Sequence, residues 1–332
     1  MAIWLSRLIG VAALCALTVA GHAQQAPEAA RERLGERPII GFVEDVPTTA
    51  EVAGAGQPVT LEPHVRVAFV STAEGWKPAC TYGEGEPERP ECLDLDLIRP
   101  VTWTVVHQGK RLGEVETNGW YDARYYRTLG VLKRTSKSAP RIGKPDTAFA
   151  SWLAPAAHRP LLAHRNVKVA GPMGLVNAGW VNTKPAVTDM ATIHAMFLLA
   201  FKAMPHCGAA PGATQAIEAK HLLVAHSTRS KAGDRLLGVR LDPKFAKSCE
   251  GPLGLEWSDL WFYAAADKAP VMLPVEIEND MAPFRMSLVE MSDLDGDGKP
   301  EALFWFSSHS VEGYLLVHDQ FERQVRFIWK YQ

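Results

Sequence analysis

The chain has 332 residues, a formal net charge of −2 and 47% apolar side chains, an ordinary content for a packed soluble core. Basic residues (35) and acidic residues (37) balance, and no basic run is present. This composition argues against nucleic acid and anionic membrane surfaces as partners.

The N-terminal segment has the pattern of a secretion signal. Arg7 supplies a positive charge, Leu8 to Ala20 form an apolar core, and Gly21-His22-Ala23 offers small residues before a cleavage site. The core is shorter than the about 20 residues that a membrane span needs. We therefore predict a signal peptide over residues 1–23, no transmembrane segment in the mature chain, and a periplasmic or secreted protein.

Removing the signal peptide leaves four cysteines, and an even number in an exported chain favours disulfides. Of the possible pairings we favour Cys80–Cys92 together with Cys207–Cys249, because the first pair encloses a short polar loop. Closing a loop of that size stabilises the fold by about 3 kcal/mol in the chain-entropy model. Four buried free thiols are the alternative.

Two regions follow the signal peptide. Residues 24–60 are rich in Ala, Glu, Gln, Pro and Thr without a clear apolar stripe, which predicts a loose N-terminal extension. Residues 61–332 contain many short runs typical of strands. We predict a β-rich domain there, either as one unit or as two parts, 61–185 and 186–332.

One segment has a strong helical pattern, residues 188–204. Thr188 or Asp189 can cap it, and Pro205 stops it. We interpret its apolar stripe as core packing and not as a cofactor site. The stripe consists of Met190, Ile193, Met196, Phe197, Ala200 and Phe201.

The strand-like runs are joined by short connections, which favours an antiparallel meander. The expected fold class is therefore mainly β with one substantial helix. The predicted strands cover residues 64–70, 101–107, 112–117, 217–225, 235–241, 259–265, 271–278, 284–290, 302–306, 314–318 and 325–331.

Residues 293–301 read Asp-Leu-Asp-Gly-Asp-Gly-Lys-Pro-Glu. Acids alternate through the first half and another closes the segment, while the glycines let the backbone turn sharply. Hard oxygen ligands in such a loop suit Ca²⁺, whereas a solvated Asp/Gly turn is the alternative. The predicted metal ligands are the carboxylates of Asp293, Asp295, Asp297 and Glu301 and the backbone carbonyl of Lys299.

The loop is not a standard EF-hand, which is flanked by helices and closes with a Glu where this chain has Phe304. A D-x-D-G-D-G-x-x-D/E loop between two strands resembles the FG-GAP and VCBS-type repeats, as found in the integrin α-chain head. The resemblance covers about residues 284–317. It implies that Ca²⁺ is held structurally within a β-propeller blade. Proteins of that family contain several copies of the calcium loop, whereas this chain has one clear copy. A regular multi-bladed propeller is therefore not expected, and a degenerate propeller is one arrangement of the strands.

Nucleophile-elbow, zinc-helix, dinucleotide and P-loop motifs are missing from the sequence. Of the histidines, His158 and His164 are the more interesting, because they lie in a segment rich in Pro and Arg. Glu276 and Glu278 would share one face of a strand, where carboxylates are usually solvent-facing charges, although a glycosidase can use such a pair in any fold.

The sequence therefore favours an exported binding or envelope-associated module with one structural calcium loop. A hydrolase acting on envelope glycan or peptide is the alternative. The expected partner is a protein or glycan of the envelope, and neither its identity nor the oligomeric state follows from the sequence. Four tryptophans near turns either form a ligand platform or fill the core. They are Trp76, Trp120, Trp180 and Trp257.

Overall fold

A computed structural model describes the fold. It describes residues 37–47, 61–79, 100–120, 131–134, 138–149, 157–167, 179–202, 217–246, 260–273, 285–307 and 311–330. Within these ranges the protein is mainly β, with antiparallel sheets and one long helix, which confirms the predicted fold class. The signal peptide, the four cysteines, Trp257 and the Glu276/Glu278 pair lie outside the described residues.

The secondary structure elements are numbered in chain order. The strands are β1 (Ile39–Pro47), β2 (Leu61–Thr72), β3 (Gly75–Pro78), β4 (Val101–His107), β5 (Lys110–Trp120), β6 (Val131–Arg134), β7 (Leu161–Arg165), β8 (Val181–Asn182), β9 (Leu222–Arg229), β10 (Arg235–Leu241), β11 (Leu260–Ala264), β12 (Val271–Met272), β13 (Arg285–Ser292), β14 (Glu301–Ser307), β15 (Val311–His318) and β16 (Arg323–Lys330). The helices are α1 (Val187–Lys202) and the short α2 (Pro243–Ala246), with 3-10 turns at Thr147–Phe149 and Ala219–His221.

The first sheet has seven strands in the order β1-β7-β4-β5-β6-β2-β3. Strand β1 also pairs along its whole length with β2. The hydrogen-bonded circuit from β1 through β7, β4, β5, β6 and β2 therefore returns to β1. This sheet brings distant parts of the chain into one layer.

Strand β1 corrects one prediction. The loose extension expected over residues 24–60 is wrong for residues 39–47, which form a central strand. Ile40 and Phe42 are fully buried there. The polar composition on both sides masked this short apolar run, and only pairing with β2 and β7 makes it a strand.

The four-stranded sheet, a meander β13-β14-β15-β16, lies between the other two sheets. Leu303 and Trp305 pack with the first sheet, whereas Phe304 and Phe306 pack towards the five-stranded sheet β12-β11-β10-β9-β8. Because both faces are covered, β14 and β15 are buried along their whole length. Propeller blades also stack face to face, but among the described strands no propeller ring closes.

Helix α1 covers the outer face of the five-stranded sheet. Ile193 and Phe197 are buried against Leu237 and Phe262, and Met190 and Met196 pack against the same cluster. Core packing is thus confirmed for these four residues of the stripe, whereas the side chains of Ala200 and Phe201 lie outside the described residues. The helix begins at Val187. Neither described helix has the length and apolar character required to cross a membrane.

Most predicted strands appear close to their expected places. The hairpin of β4 and β5 and the strand β10 lie where the alternation put them. Residues 219–221 form a 3-10 turn where a strand was expected, because strand pairing with β10 begins only at Leu222. Of the strand predicted over 271–278, β12 covers the first two residues, and residues 274–278 lie outside the described ranges.

Candidate metal centre

The predicted calcium loop, residues 293–301, connects β13 to β14, and its last residue, Glu301, is the first residue of β14. Ser292 pairs with Glu301 across its base, so the two strands fix both ends of the loop. Leu294 is fully buried in the core cluster shared with the first sheet. The loop is therefore anchored at the junction of two sheets, as a strand–loop–strand site.

Glycines and side-chain oxygens wind the loop inwards. Gly296 and Gly298 have φ of 82° and 85°, the left-handed region that favours glycine. Their N–H groups donate to the two carboxylate oxygens of Asp293, at 2.8 Å and 3.1 Å. Asp295 and Asp297 each accept from a backbone N–H two residues on, at 3.2 Å and 2.7 Å. The winding predicted from the glycine spacing is thus present.

Three carboxylates meet at the centre of this loop. Asp293, Asp295 and Asp297 each offer an oxygen, and these oxygens lie within 4.8 Å of one another. Two oxygens bound at about 2.4 Å to one Ca²⁺ can lie at most about 4.8 Å apart. The separation therefore fits a single ion of that size. Asp293 is buried and the other two are exposed, so an ion has a path from solvent.

The clustering has an electrostatic cost. Although Asp295 is exposed, partial desolvation within the loop chiefly raises the pKa of its carboxyl, and the neighbouring charges of Asp297 and Asp293 raise it further. Hydrogen bonding from the Asp297 N–H acts in the opposite direction. A bound cation would remove this repulsion and favour the ionised carboxylates.

Glu301, the predicted closing ligand, does not belong to the group of three carboxylates. It is 1% exposed, and its Oε2 accepts a hydrogen bond of 2.5 Å from the Leu294 N–H. Burial foremost, with repulsion from the three aspartates, raises the pKa of Glu301 to about 9. Glu301 is thus a neutral acid at the base of the loop, and the negative charges of the three aspartates act on its carboxyl group.

Lys299 contributes positive charge at the outer edge of the loop. Its Nζ lies 3.7 Å from Asp297 Oδ2 and 3.9 Å from Asp319 Oδ1. Its N–H is the group that donates to Asp297. Ligation by its backbone carbonyl stays a prediction.

Trp76 is a neighbour of the loop that sequence reasoning did not place there. It belongs to β3 in the first sheet and is 4% exposed. Its indole N–H interacts with Asp295 and favours the ionised form of that carboxylate, although it falls short of full hydrogen-bond geometry. The contact joins residues of different sheets, so local sequence spacing carries no signal for it.

Of the tryptophans considered as a ligand platform, Trp76 and Trp180 are buried, at 4% and 3% exposure. They belong to two different core clusters, which corrects the platform hypothesis for this pair. The side chain of Trp120 and the whole of Trp257 lie outside the described residues.

His158, singled out in the sequence, lies beside a buried acid. Asp45 accepts from the Nδ1 of His158 at 2.9 Å, from its backbone N–H at 3.0 Å, and from Arg141 at 2.5 Å. The Asp45 side chain is 4% exposed. The adjoining cavity holds about 10 Å³, barely room for one water. The three groups tie β1 to the segments around Arg141 and His158.

His164 lies within the first sheet, opposite Ile40 and Thr104. Burial, and secondarily the charge of Arg111, lowers its pKa from 6.5 to about 4. His164 is therefore a neutral core residue at physiological pH and not a surface ligand.

A larger cleft, of about 440 Å³, lies between the start of α1 and the five-stranded sheet. Two acids line it, Asp189 and Asp267, but none of its lining residues is a tryptophan. Asp189, one of the two residues predicted to cap the helix, lies inside it and is paired with Arg235 through two hydrogen bonds of 2.7 Å and 3.2 Å. Both carboxylate oxygens of Asp189 are thus bonded to Arg235, so Asp189 is not free to act with Asp267 as a pair of catalytic acids.

Comparisons of the chain with protein-family models, with curated proteins and with solved structures give no match. The resemblance to FG-GAP and VCBS-type repeats accordingly rests on residues 293–301 and their two flanking strands.

Proposed function

We propose that this chain is an exported, non-catalytic binding or envelope-associated module whose loop, residues 293–301, holds one structural Ca²⁺. The observation that carries the proposal is the meeting of three carboxylates within 4.8 Å. Such a group is expensive to hold together without a cation, whereas an oxygen-rich loop is the preferred environment of Ca²⁺.

The structural role follows from where the loop is anchored. Leu294 is buried in the core between two sheets. The loop connects β13 and β14, and most residues of these two strands are buried. An ion here stabilises the junction of the sheets. A catalytic ion would need an open coordination position beside a base or nucleophile, and the loop supplies only metal-binding carboxylates and a lysine.

A binding surface for the partner is supported by the distribution of exposed apolar side chains. Of the described large apolar residues that are exposed, all but Leu112 belong to the layer formed by the five-stranded sheet and α1. Val187 and Leu199 on the helix are the most exposed, at 87% and 67%. The expected partner is a protein or glycan of the envelope, and this layer is the surface that we propose for its binding.

The alternative, a hydrolase of envelope glycan or peptide, is favoured by the Asp45–His158 pair, an arrangement that can orient an imidazole as a general base. The neighbouring cavity of about 10 Å³ is too small for a sugar or peptide. All three donors around Asp45 are used to join segments of the fold. We therefore rank this alternative below the binding module.

The test is thermal unfolding with Ca²⁺ and with a chelator, on the wild type, on Asp295→Ala, and on Asp267→Ala as a matched exposed acid elsewhere. A ligand that binds only the folded state stabilises it by about 2.7 kcal/mol at about a hundredfold excess over Kd. We expect this gain in the wild type and in Asp267→Ala, and its loss in Asp295→Ala, which has no side-chain oxygen.

A melting temperature indifferent to calcium and chelator would reject the proposal. The hydrolase would replace it if the wild type cleaved an envelope glycan or peptide and Asp297→Asn reduced that rate steeply at an unchanged melting temperature.

A further inference from the structure

The indole N–H of Trp76 is buried without a complete hydrogen bond. Trp76 is 4% exposed, and its Nε1 has no partner of full hydrogen-bond geometry among the described residues. Buried tryptophan N–H groups usually find an acceptor, because an unsatisfied buried donor destabilises the fold. The Trp76 N–H is therefore a buried donor that still lacks a complete acceptor.

The carboxylate facing this N–H belongs to the calcium loop. Trp76 interacts with Asp295, whose side chain is one of the three that meet at the loop centre. Asp295 is exposed, and it accepts one weak backbone hydrogen bond, 3.2 Å from the Asp297 N–H. Its carboxylate is therefore the least restrained of the three, and a donor from β3 can set its orientation.

Strand β3, which contains Trp76, also lies against the four-stranded sheet where β15 turns into β16. Strand β3 packs against β16. A methyl group placed on Gly75 would lie 3.7 Å from Arg323 and 3.9 Å from His318. Trp76 and Leu294 belong to the same core cluster. The β2–β3 hairpin and the calcium loop thus form one contact region between the two sheets.

We propose that Trp76 is a positioning residue for the calcium loop: its N–H holds one oxygen of Asp295 so that the other faces the ion, and ion binding completes this hydrogen bond. The inference rests on the proposed calcium site. Donors that orient a ligating carboxylate typically contribute about 10- to 100-fold to metal affinity. Calcium binding would then also tighten the docking of the β2–β3 hairpin on the four-stranded sheet.

The test compares Trp76→Phe with Trp103→Phe by calorimetric titration of the full chain with calcium. Trp103 belongs to the same core cluster, but its Nε1 donates to Thr117 Oγ1 at 3.0 Å, away from the loop. Both variants lose an indole N–H and keep an aromatic ring. We expect Trp76→Phe to weaken calcium binding by about 10- to 100-fold and Trp103→Phe to leave the affinity unchanged.

A second measurement does not depend on either variant folding. In proton–nitrogen NMR of the wild type, the Trp76 indole resonance should move downfield on calcium titration and saturate with the calorimetric Kd. The Trp103 resonance should stay in place. A wild type that binds calcium with an unmoved Trp76 resonance, or a Trp76→Phe variant of unchanged affinity, overturns this inference alone. A wild type that binds no calcium overturns the site itself and the inference with it.

Discussion

The hydroxyl of Tyr314 in β15 donates a hydrogen bond of 2.8 Å to Oε2 of Glu44 in β1, across the interface of two sheets. The other oxygen of Glu44 is paired with Arg66. The Tyr314 ring stacks on Phe42 with 3.6 Å between ring centroids. Burial first, and then the charge of Glu44, raise the pKa of Tyr314 well above its ordinary value, so it remains a donor. This buried network fixes how the first sheet meets the four-stranded sheet.

Tyr314→Phe should lower the free energy of unfolding by about 1–3 kcal/mol, because Glu44 then keeps a buried oxygen without its donor. Chemical unfolding of wild type and variant measures the change. Tyr263→Phe is the control, since that partly exposed ring stacks on Phe321 and lies in the five-stranded sheet. Equal losses for the two variants would contradict the role of the network.

Glu301→Gln should leave stability in chelator almost unchanged and remove most of the stabilisation by calcium. Burial and the aspartates raise the pKa of Glu301 to about 9, so this side chain is already neutral at neutral pH. A glutamine keeps an acceptor for the Leu294 N–H but cannot become a carboxylate ligand. Thermal unfolding of the wild type and of Glu301→Gln, with calcium and with chelator, measures both effects. Full calcium stabilisation in Glu301→Gln would exclude Glu301 as a ligand.

Acid should destabilise the protein partly through His164. Its pKa is lowered from 6.5 to about 4 by burial, so the unfolded chain binds the proton more readily between these values. The stabilising contribution is therefore present above the unfolded pKa and is lost as the pH falls towards the folded one. His164→Leu should reduce the loss of unfolding free energy between about pH 7 and about pH 5 by about 1–2 kcal/mol. An unchanged difference between the two pH values would show that His164 is not neutral in the fold.

The disulfides remain a prediction from the cysteine spacing, Cys80–Cys92 and Cys207–Cys249. Non-reducing peptide mapping of the purified protein tests the pairing directly. Cys92→Ala should cost about 3 kcal/mol of stability through the reopened loop. Peptides linking Cys80 to Cys207 or Cys249, or four free thiols, would show another arrangement.

Sequence patterns predicted what depends on local spacing. The loop 293–301 and its flanking strands could be predicted because acids, glycines and alternating apolar residues all lie within one segment. The same holds for α1, whose apolar residues recur at helical spacing. These features need no information from distant parts of the chain.

Long-range pairing explains what the sequence did not predict. Residues 39–47 form a central strand only because β2 and β7 flank them. The contact of Trp76 with Asp295 joins two sheets, and Asp45 meets His158 from 113 residues away. Glu301 is buried at the base of the loop because its position pairs with Ser292 across the strands, and its role as the closing ligand stays a prediction.

The most direct test of the central claim is calorimetric titration of chelator-treated protein with calcium, combined with analysis of the metal content after dialysis. We expect one Ca²⁺ per chain, and no heat of binding for Asp295→Ala under the same conditions. Absence of binding to the folded wild type, or equal binding to Asp295→Ala, would contradict the calcium site.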